Sequence, residues 1–233
     1  MKVCFVSTSF PAFKGDIQSP FIYQLAKHLV KHDIDLTVVC PRYKKSKKTH
    51  EMMDGIKVER FSYFPKMLQT LTEKGGISDF KKNLYSLFQL FFYLKAMFWK
   101  TYKVAKHSDI IHCQWVLAGF VGVFVKWCTQ KSLIVSLRGE DLKALENRFM
   151  RPFFLFVLKN ADYITSNNAH HINKVQSIKK EVLVIPNGVD LSIFKPRNKK
   201  KTRQLLNLPQ NKKIAIFVGW LVKRKGVEYL LDA

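Results

Sequence analysis

Acidic residues are scarce in this 233-residue sequence: 17 Asp and Glu residues stand against 40 Lys and Arg residues. The formal net charge is therefore +23 at pH 7. A balance this far from neutrality indicates partners that carry negative charge, such as nucleic acid, an anionic membrane surface or phosphorylated substrates. The apolar fraction of 47% is enough for a sizeable core, which excludes disorder as the general state.

Cysteine is also sparse, and its four positions form no C-x-x-C pair. Cys4, Cys40 and Cys113 lie in apolar runs that are typical of strands. We therefore expect buried free thiols in a reducing compartment, with neither a disulfide nor a metal site.

Long apolar runs are missing as well. None reaches the roughly 20 residues that a helix needs to span a bilayer. The N-terminal "KVCFVSTSF" is too short and too polar for the apolar part of a secretory signal. These observations predict a cytoplasmic protein.

Short apolar runs are what the sequence has instead, and most are continuous rather than alternating, as is typical of strands covered on both faces. Segments with helical periodicity lie between many of them, such as 19–32 and the run from Asn83 to His107. This alternation predicts an α/β fold with a Rossmann-like, doubly wound parallel sheet. The predicted strands are 2–8, 35–40, 56–63, 109–114, 132–137, 162–167 and 182–187.

The character of the chain changes after Asn187. We assign residues 1–190 to a first domain and 191–212 to a basic, proline-punctuated linker. "KIAIFVG" (213–219) then predicts a new strand, so that 213–233 would be the start of a second, incomplete domain.

Two segments rich in aromatic and basic residues, 83–107 and 148–162, allow two interpretations. They are core helices packed on the sheet, or they also enter a membrane interface, with lysines reaching the headgroups. The basic runs 42–48 and 195–203 are likewise solvated loops or attractants for anionic lipid. Nucleic-acid binding would explain the charge too, but the aromatics do not follow a known nucleic-acid-binding pattern.

Polar residues follow several predicted strands, and in open α/β sheets ligands bind outside the carboxyl ends of the strands. Such a cluster suits a hydroxyl-rich substrate with negative charge. The candidate substrate-binding residues are Gly15, Gln114, Arg138, Asp141, Ser166 and Asn187, and the candidate catalytic residue is His112.

Each of these residues also has a structural interpretation. His112 could instead be a core histidine whose hydrogen bonds are satisfied. Arg138 and Asp141 could form a structural ion pair. Asn187 and Gly188 suit a turn that needs positive φ.

Two segments late in the chain resemble Glycosyltransferase Family 4, whose members are nucleotide-sugar-dependent enzymes of the GT-B fold. "VLVIPNGVDLSIFKP" (182–196) is similar to the family's segment between its two Rossmann-like domains, and "VGWLVKRKG" (218–226) to the "VGRL…KG" that opens the second. "DIIHCQW" (109–115) and "LRGEDL" (137–142) resemble the family's D-x-I-H-x-H and HG-x-D patterns in the same order.

The resemblance implies sugar transfer, usually with retention of configuration, without a metal ion or other cofactor. A nucleotide-diphosphate sugar would bind mainly to the second domain and the acceptor mainly to the first. Lys225, Arg224 and Gly219 would hold the donor phosphates, since a helix that begins at Val227 favours negative charge at its start. We expect a lipid-linked or polysaccharide acceptor at the inner face of an anionic membrane.

The sequence also departs from the family pattern. Trp220 stands where a phosphate-binding arginine is usual, Arg138 where histidine is commoner, and Gln114 replaces the second histidine. The family's later glutamate motif would lie beyond Ala233, so we expect the chain as given to be truncated and inactive alone. The alternative function is a non-catalytic basic module that binds a phosphorylated or nucleic-acid ligand.

Overall fold

The structure is a computed structural model, and it describes residues 1–72, 84–139, 141, 147–169, 175, 180–219 and 221–232. The side chain of Arg224 is outside this description. The chain divides into two compact units, Met1–Gly188 and Val189–Ala233.

An eight-stranded sheet forms the centre of the first unit, in the order β3-β4-β2-β1-β5-β6-β7-β8. All neighbouring strands are parallel except the antiparallel pair of β3 and β4. The chain builds outward from β1 in one direction and from β5 in the other, which confirms the predicted doubly wound sheet. The strands are β1 (Lys2–Ser7), β2 (Asp35–Pro41), β3 (His50–Met53), β4 (Ile56–Phe61), β5 (Ile110–Gln114), β6 (Ser132–Leu137), β7 (Tyr163–Ser166) and β8 (Val182–Val184).

Four described helices accompany this sheet. The predicted helix over 19–32 is confirmed: Pro20 occupies its first turn, where the missing N–H would have no intrahelical partner. The predicted run from Asn83 forms a helix from Leu84, and Asn83 itself lies outside the described residues. The helices are α1 (Pro20–Lys31), α2 (Leu84–Ala105), α3 (Val116–Thr129) and α4 (Arg151–Asn160). Within the described residues, no helix combines the length and apolar character needed to cross a bilayer.

The helices cover the two faces of the sheet unequally. α1 packs on one face over β1, β2 and β4, through a cluster that includes Phe5, Ile22 and Leu36. α2, α3 and α4 cover the opposite face through a larger cluster. α3 approaches the sheet closely because Gly122 has no Cβ: an added methyl would lie 2.6 Å from Cys113 Sγ.

The α1 face of β5, β6 and β7 is polar near the carboxyl ends of the strands. His112 and Gln114 of β5, Ser136 of β6 and Thr165 of β7 occupy alternate positions on these strands, while their neighbours in sequence join the opposite core. We expected strands that are apolar on both faces, and this prediction is wrong at the carboxyl ends of β5, β6 and β7. The polar side chains there mark the candidate site.

β3 was not predicted from the sequence. It stabilises the loop after β1 through a buried arginine. It pairs antiparallel with β4 and brings Glu51 to the buried guanidinium of Arg60, at 2.8 Å from Nη2. The same Nη2 donates to the carbonyl oxygens of Pro11 (2.7 Å) and Ala12 (3.3 Å). One buried cation thus holds the hairpin and the loop together.

The second unit contains the helices α5 (Lys199–Leu205) and α6 (Val227–Asp232), and α6 begins at Val227 as predicted. The predicted strand over 213–219 is wrong, because these residues have no regular secondary structure. Ile216 and Val218 are exposed. A strand needs a hydrogen-bonding neighbour, and the described residues of this unit offer no other strand.

Candidate functional site

The candidate site lies where β5 and β6 end, next to the point at which strand order reverses between β1 and β5. His112 and Gln114 are two residues apart on β5, so both side chains project from the same face. Arg138 follows the last residue of β6, and Asn187 follows β8. The structure brings these four predicted residues into one hydrogen-bonded network.

Arg138 is the centre of that network. Its Nε and Nη2 donate to the side-chain oxygen of Gln114, at 3.2 and 2.7 Å. Its Nη1 donates to the side-chain oxygen of Asn187 at 2.5 Å. The planar guanidinium suits this role, because it presents several donors in fixed directions.

The network also determines the state of His112. Because Arg138 binds the Gln114 oxygen, the Gln114 amide nitrogen must face His112 Nε2, which lies 3.0 Å away. Nε2 is therefore an unprotonated acceptor, and the ring proton is on Nδ1. Ser136 Oγ lies 2.7 Å from Nε2 and 2.7 Å from Thr165 Oγ1, so a chain of hydroxyl groups leads into the same acceptor.

The electrostatic surroundings keep this imidazole neutral. Burial, as the larger cause, and the positive charge of Arg138 together lower the pKa of His112 to about 4. Within the described residues, Nδ1 has no hydrogen-bond partner. The site therefore offers one neutral imidazole N–H beside a guanidinium, which suits an oxygen of a hydroxyl-rich ligand.

Asp141 supports the site through the backbone. Its carboxylate accepts hydrogen bonds from the backbone N–H groups of Arg138 (2.8 Å) and Val116 (3.1 Å). Val116 is the first residue of α3, so this carboxylate caps the helix and joins it to the end of β6. These bonds give the predicted substrate-binding residue a clear structural role.

An aromatic pair that the sequence reading missed borders the network. The rings of Phe21 and Trp115 meet edge to face, with centroids 6.1 Å apart, and the guanidinium carbon of Arg138 lies 5.4 Å from the Phe21 centroid. Trp115 has a φ of +66°, which is unusual for a bulky residue and frequent at functional sites. Its position directly after "HCQ" at a strand end was the available signal.

Two predicted residues have other surroundings. Gly15 lies in the exposed turn after β1 with a φ of +94°, a conformation that favours glycine. Ser166 ends β7 and is buried; its Oγ donates to the carbonyl oxygen of Asn168 at 3.1 Å. Both lie at or near the carboxyl edge of the sheet, and their roles in binding stay predictions.

A family model described as Glycosyltransferase Family 4 matches residues 18–193, about three quarters of the sequence and most of the first unit. The chain belongs to Glycosyltransferase Family 4. This confirms the resemblance to that family.

Named relatives of this Glycosyltransferase Family 4 chain extend beyond its length. A protein of Bacillus subtilis (strain 168), with the inferred role of teichuronic acid biosynthesis glycosyltransferase TuaC, is 24% identical over 258 aligned positions. That alignment covers 100% of this chain and 62% of the relative.

Solved structures agree in fold. Sucrose-phosphate synthase from Thermosynechococcus elongatus superposes with a TM-score of 0.72 at 17% identity, over 100% of this chain and 59% of that chain. Anabaena HepE in complex with UDP-glucose gives 0.58 at 17% identity, over 89% of this chain and 50% of that one. The chain is thus a partial GT-B structure.

The candidate donor-binding residues of the family pattern lie in the second unit. Lys223–Lys225 form a single 3-10 turn, which ends at Gly226 with a φ of +62° and leads into α6. Lys225 therefore lies just before a helix start, as predicted, and Gly219 lies before this turn. Trp220 and the side chain of Arg224 lie outside the described residues.

The state of His112 predicts a dependence of stability on pH. Because the folded pKa is about 4 and the unfolded pKa about 6.5, the unfolded chain takes up the proton first as the pH falls. The free energy of unfolding should therefore be highest above pH 6.5 and decline toward pH 4, by up to about 3 kcal/mol. Urea unfolding at half-unit pH intervals measures this slope.

Two variants test the assignment of that slope. His112→Gln should flatten the slope between pH 6.5 and 4, whereas His28→Gln, which removes an exposed histidine of α1, should leave it unchanged. An unchanged slope in His112→Gln would contradict a neutral imidazole at this position.

Proposed function

We propose that this chain provides the acceptor-side part of a glycosyltransferase. The enzyme moves a sugar from a nucleotide-diphosphate sugar to a lipid-linked or polysaccharide acceptor in cell-envelope or exopolysaccharide synthesis. The transfer retains anomeric configuration and uses no metal ion. The protein works at the inner, cytoplasmic face of the membrane.

The observation that carries this proposal is the network of His112, Gln114, Arg138 and Asn187. A neutral imidazole N–H, a guanidinium and amides at one strand edge match the oxygens of a sugar ring and the negative charge of a diphosphate leaving group. Stabilising charge that develops on this group is a major source of rate enhancement.

The choice of donor and acceptor draws on similar proteins. HepE was crystallised with UDP-glucose, which supports a nucleotide sugar as donor. The role inferred for TuaC, in teichuronic acid biosynthesis, supports a polymeric envelope glycan as acceptor. The net charge of +23 supports an anionic acceptor or surface.

Sugar transfer is tested with the whole protein, including every residue that its reading frame encodes. It is incubated with radiolabelled nucleotide-diphosphate sugars and with lipid or polysaccharide extracts. We expect label to enter one of these fractions, with the anomeric configuration of the donor and an unchanged rate in a chelator. His112→Ala should lower kcat about 100-fold or more.

Met52→Ala is the control, because Met52 is an exposed residue on the edge strand β3. It should transfer at the wild-type rate. Absence of transfer from every nucleotide sugar, or full activity of His112→Ala, would contradict the proposal.

A further inference from the structure

The outer surface of the α2–α3–α4 layer carries an unusual number of exposed aromatic side chains. On α2, Phe91 is 63% exposed and Trp99 is 52% exposed. On α3, Trp127 is half exposed, and its ring contacts Phe156 of α4, with centroids 6.0 Å apart. We call this surface the aromatic face. Its aromatic rings contact one another between α3 and α4, so it is a patch and not a set of isolated residues.

A groove runs through this face between α2 and α3. Its volume is about 330 Å³, and almost all of its lining atoms are apolar. It follows the C-terminal half of α3, away from the polar network at the start of that helix. The lining includes Leu94 and Phe98 of α2 and Phe120, Phe124, Trp127 and Cys128 of α3.

The charged residues within the helices of the aromatic face have one sign. The 46 residues of α2, α3 and α4 contain no Asp or Glu. Lys95 and Lys106 project from the same side of α2 as Trp99, by helical periodicity, and Lys106 lies over the Tyr102 ring at 5.4 Å. Arg151 at the start of α4 is exposed. Aromatic and basic side chains on one helical face are the composition of interfacial helices.

This combination decides between possible occupants. A second copy of the chain would bring the same positive charges against this face, and like charges oppose such an association. An anionic bilayer offers the complement of both properties, because its acyl chains accept the aromatics and its headgroups attract the lysines.

We propose that the aromatic face docks on an anionic lipid bilayer and that the groove between α2 and α3 takes up one hydrocarbon chain of a lipid. This inference rests on the proposed membrane setting and names its surface. It does not depend on the transfer reaction, because the interaction requires neither a nucleotide sugar nor an acceptor.

Cys128 provides the probe. It is exposed at the groove, whereas the other three cysteines are buried, so a thiol-reactive, environment-sensitive fluorophore reports on the groove of the otherwise natural chain. We expect the emission to shift to the blue and to intensify with vesicles that contain 30% phosphatidylglycerol, but not with pure phosphatidylcholine vesicles. Quenching by a spin label on the acyl chain should exceed quenching by one on the headgroup.

Variants of the unlabelled chain then identify the surface by co-sedimentation with the same anionic vesicles. Phe91→Glu and Trp127→Glu should each weaken binding at least tenfold, and Lys95→Gln about fivefold. Met52→Glu makes the same charge change as Phe91→Glu on an exposed residue of β3, and it should bind as wild type to within twofold. Circular dichroism confirms that each variant is folded.

Several outcomes would overturn the proposal. Equal recovery of the chain in the supernatant with and without anionic vesicles would refute docking. Unchanged binding of Phe91→Glu and Trp127→Glu would assign the lipid affinity to the basic loops instead. If the headgroup spin label quenches more strongly than the acyl-chain label, the groove does not take up a hydrocarbon chain. If the wild-type chain forms a dimer that Phe91→Glu dissociates, the aromatic face binds a second copy of the chain and not a bilayer.

Discussion

Replacing Glu51 by alanine should lower the free energy of unfolding by about 3–5 kcal/mol, although Glu51 lies on an edge strand. The reason is its partner: the Arg60 side chain is fully buried, with an exposed fraction of 0%. Without the carboxylate, the guanidinium remains in the interior without this counter-charge. Its remaining acceptors are the carbonyl oxygens of Pro11 and Ala12 and the weakly accepting sulfur atoms of Cys40 and Met53. Urea denaturation at pH 7 measures the loss.

Replacing Arg60, the other member of the pair, should lower the free energy of unfolding by a smaller amount. In Arg60→Met the remaining Glu51 carboxylate is 19% exposed and can be hydrated, so we expect a loss of about 1–3 kcal/mol. The double variant should resemble Arg60→Met, which makes the two effects strongly non-additive. Asp35→Ala breaks the exposed ion pair with Lys57 and, as the control, should cost less than about 1 kcal/mol. Equal losses in Glu51→Ala and Asp35→Ala would contradict a buried pair.

The second large effect is expected at Arg138. Arg138→Met removes three hydrogen-bond donors, leaves the buried Gln114 oxygen without them and frees Asn187. Gln114 can then rotate, so the donor that defines the His112 tautomer is no longer fixed. We expect kcat/KM of the whole protein to fall about 100-fold, as small misplacements of a reacting group can cause.

An NMR titration separates this role from simple destabilisation. Because the positive charge of Arg138 contributes to the lowering of the His112 pKa, that pKa should rise in Arg138→Met. Arg138→Lys keeps the charge but not the planar fork. It should therefore keep the low pKa while it loses much of the activity. An unchanged His112 pKa in Arg138→Met would show that the guanidinium does not act on the imidazole.

Much of the first unit could be predicted because its signals are local. Apolar runs bounded by helical segments define a parallel sheet, and the period of two along β5 places His112 and Gln114 on one face. Arg138 and Asn187 follow other strands of the parallel sheet, so they are predicted at the same carboxyl edge, where ligands bind in such sheets. The hydrogen bonds among them could not be read from spacing, since they depend on side-chain rotamers.

The errors have physical causes. β3 is only four residues long and has Glu51 inside it, so it carries too little apolar pattern to be recognised. Phe21 and Trp115 are far apart in the sequence, and their ring contact cannot be predicted from the residue pattern of either segment alone. "KIAIFVG" has the composition of a strand, but composition does not provide the neighbouring strand that it needs.

The polar row across β5, β6 and β7 has a consequence for how the sheet finds its correct alignment. Gln114 pairs with Ser136, and Ser136 with Thr165. A slip of one residue in any of these strands would turn the polar groups toward α3 and the apolar groups away from it. Gln114 and Ser136, which contact His112, therefore also raise the free energy of every misaligned pairing of the central strands. The same side chains that assemble the site thus help to select the correct strand register.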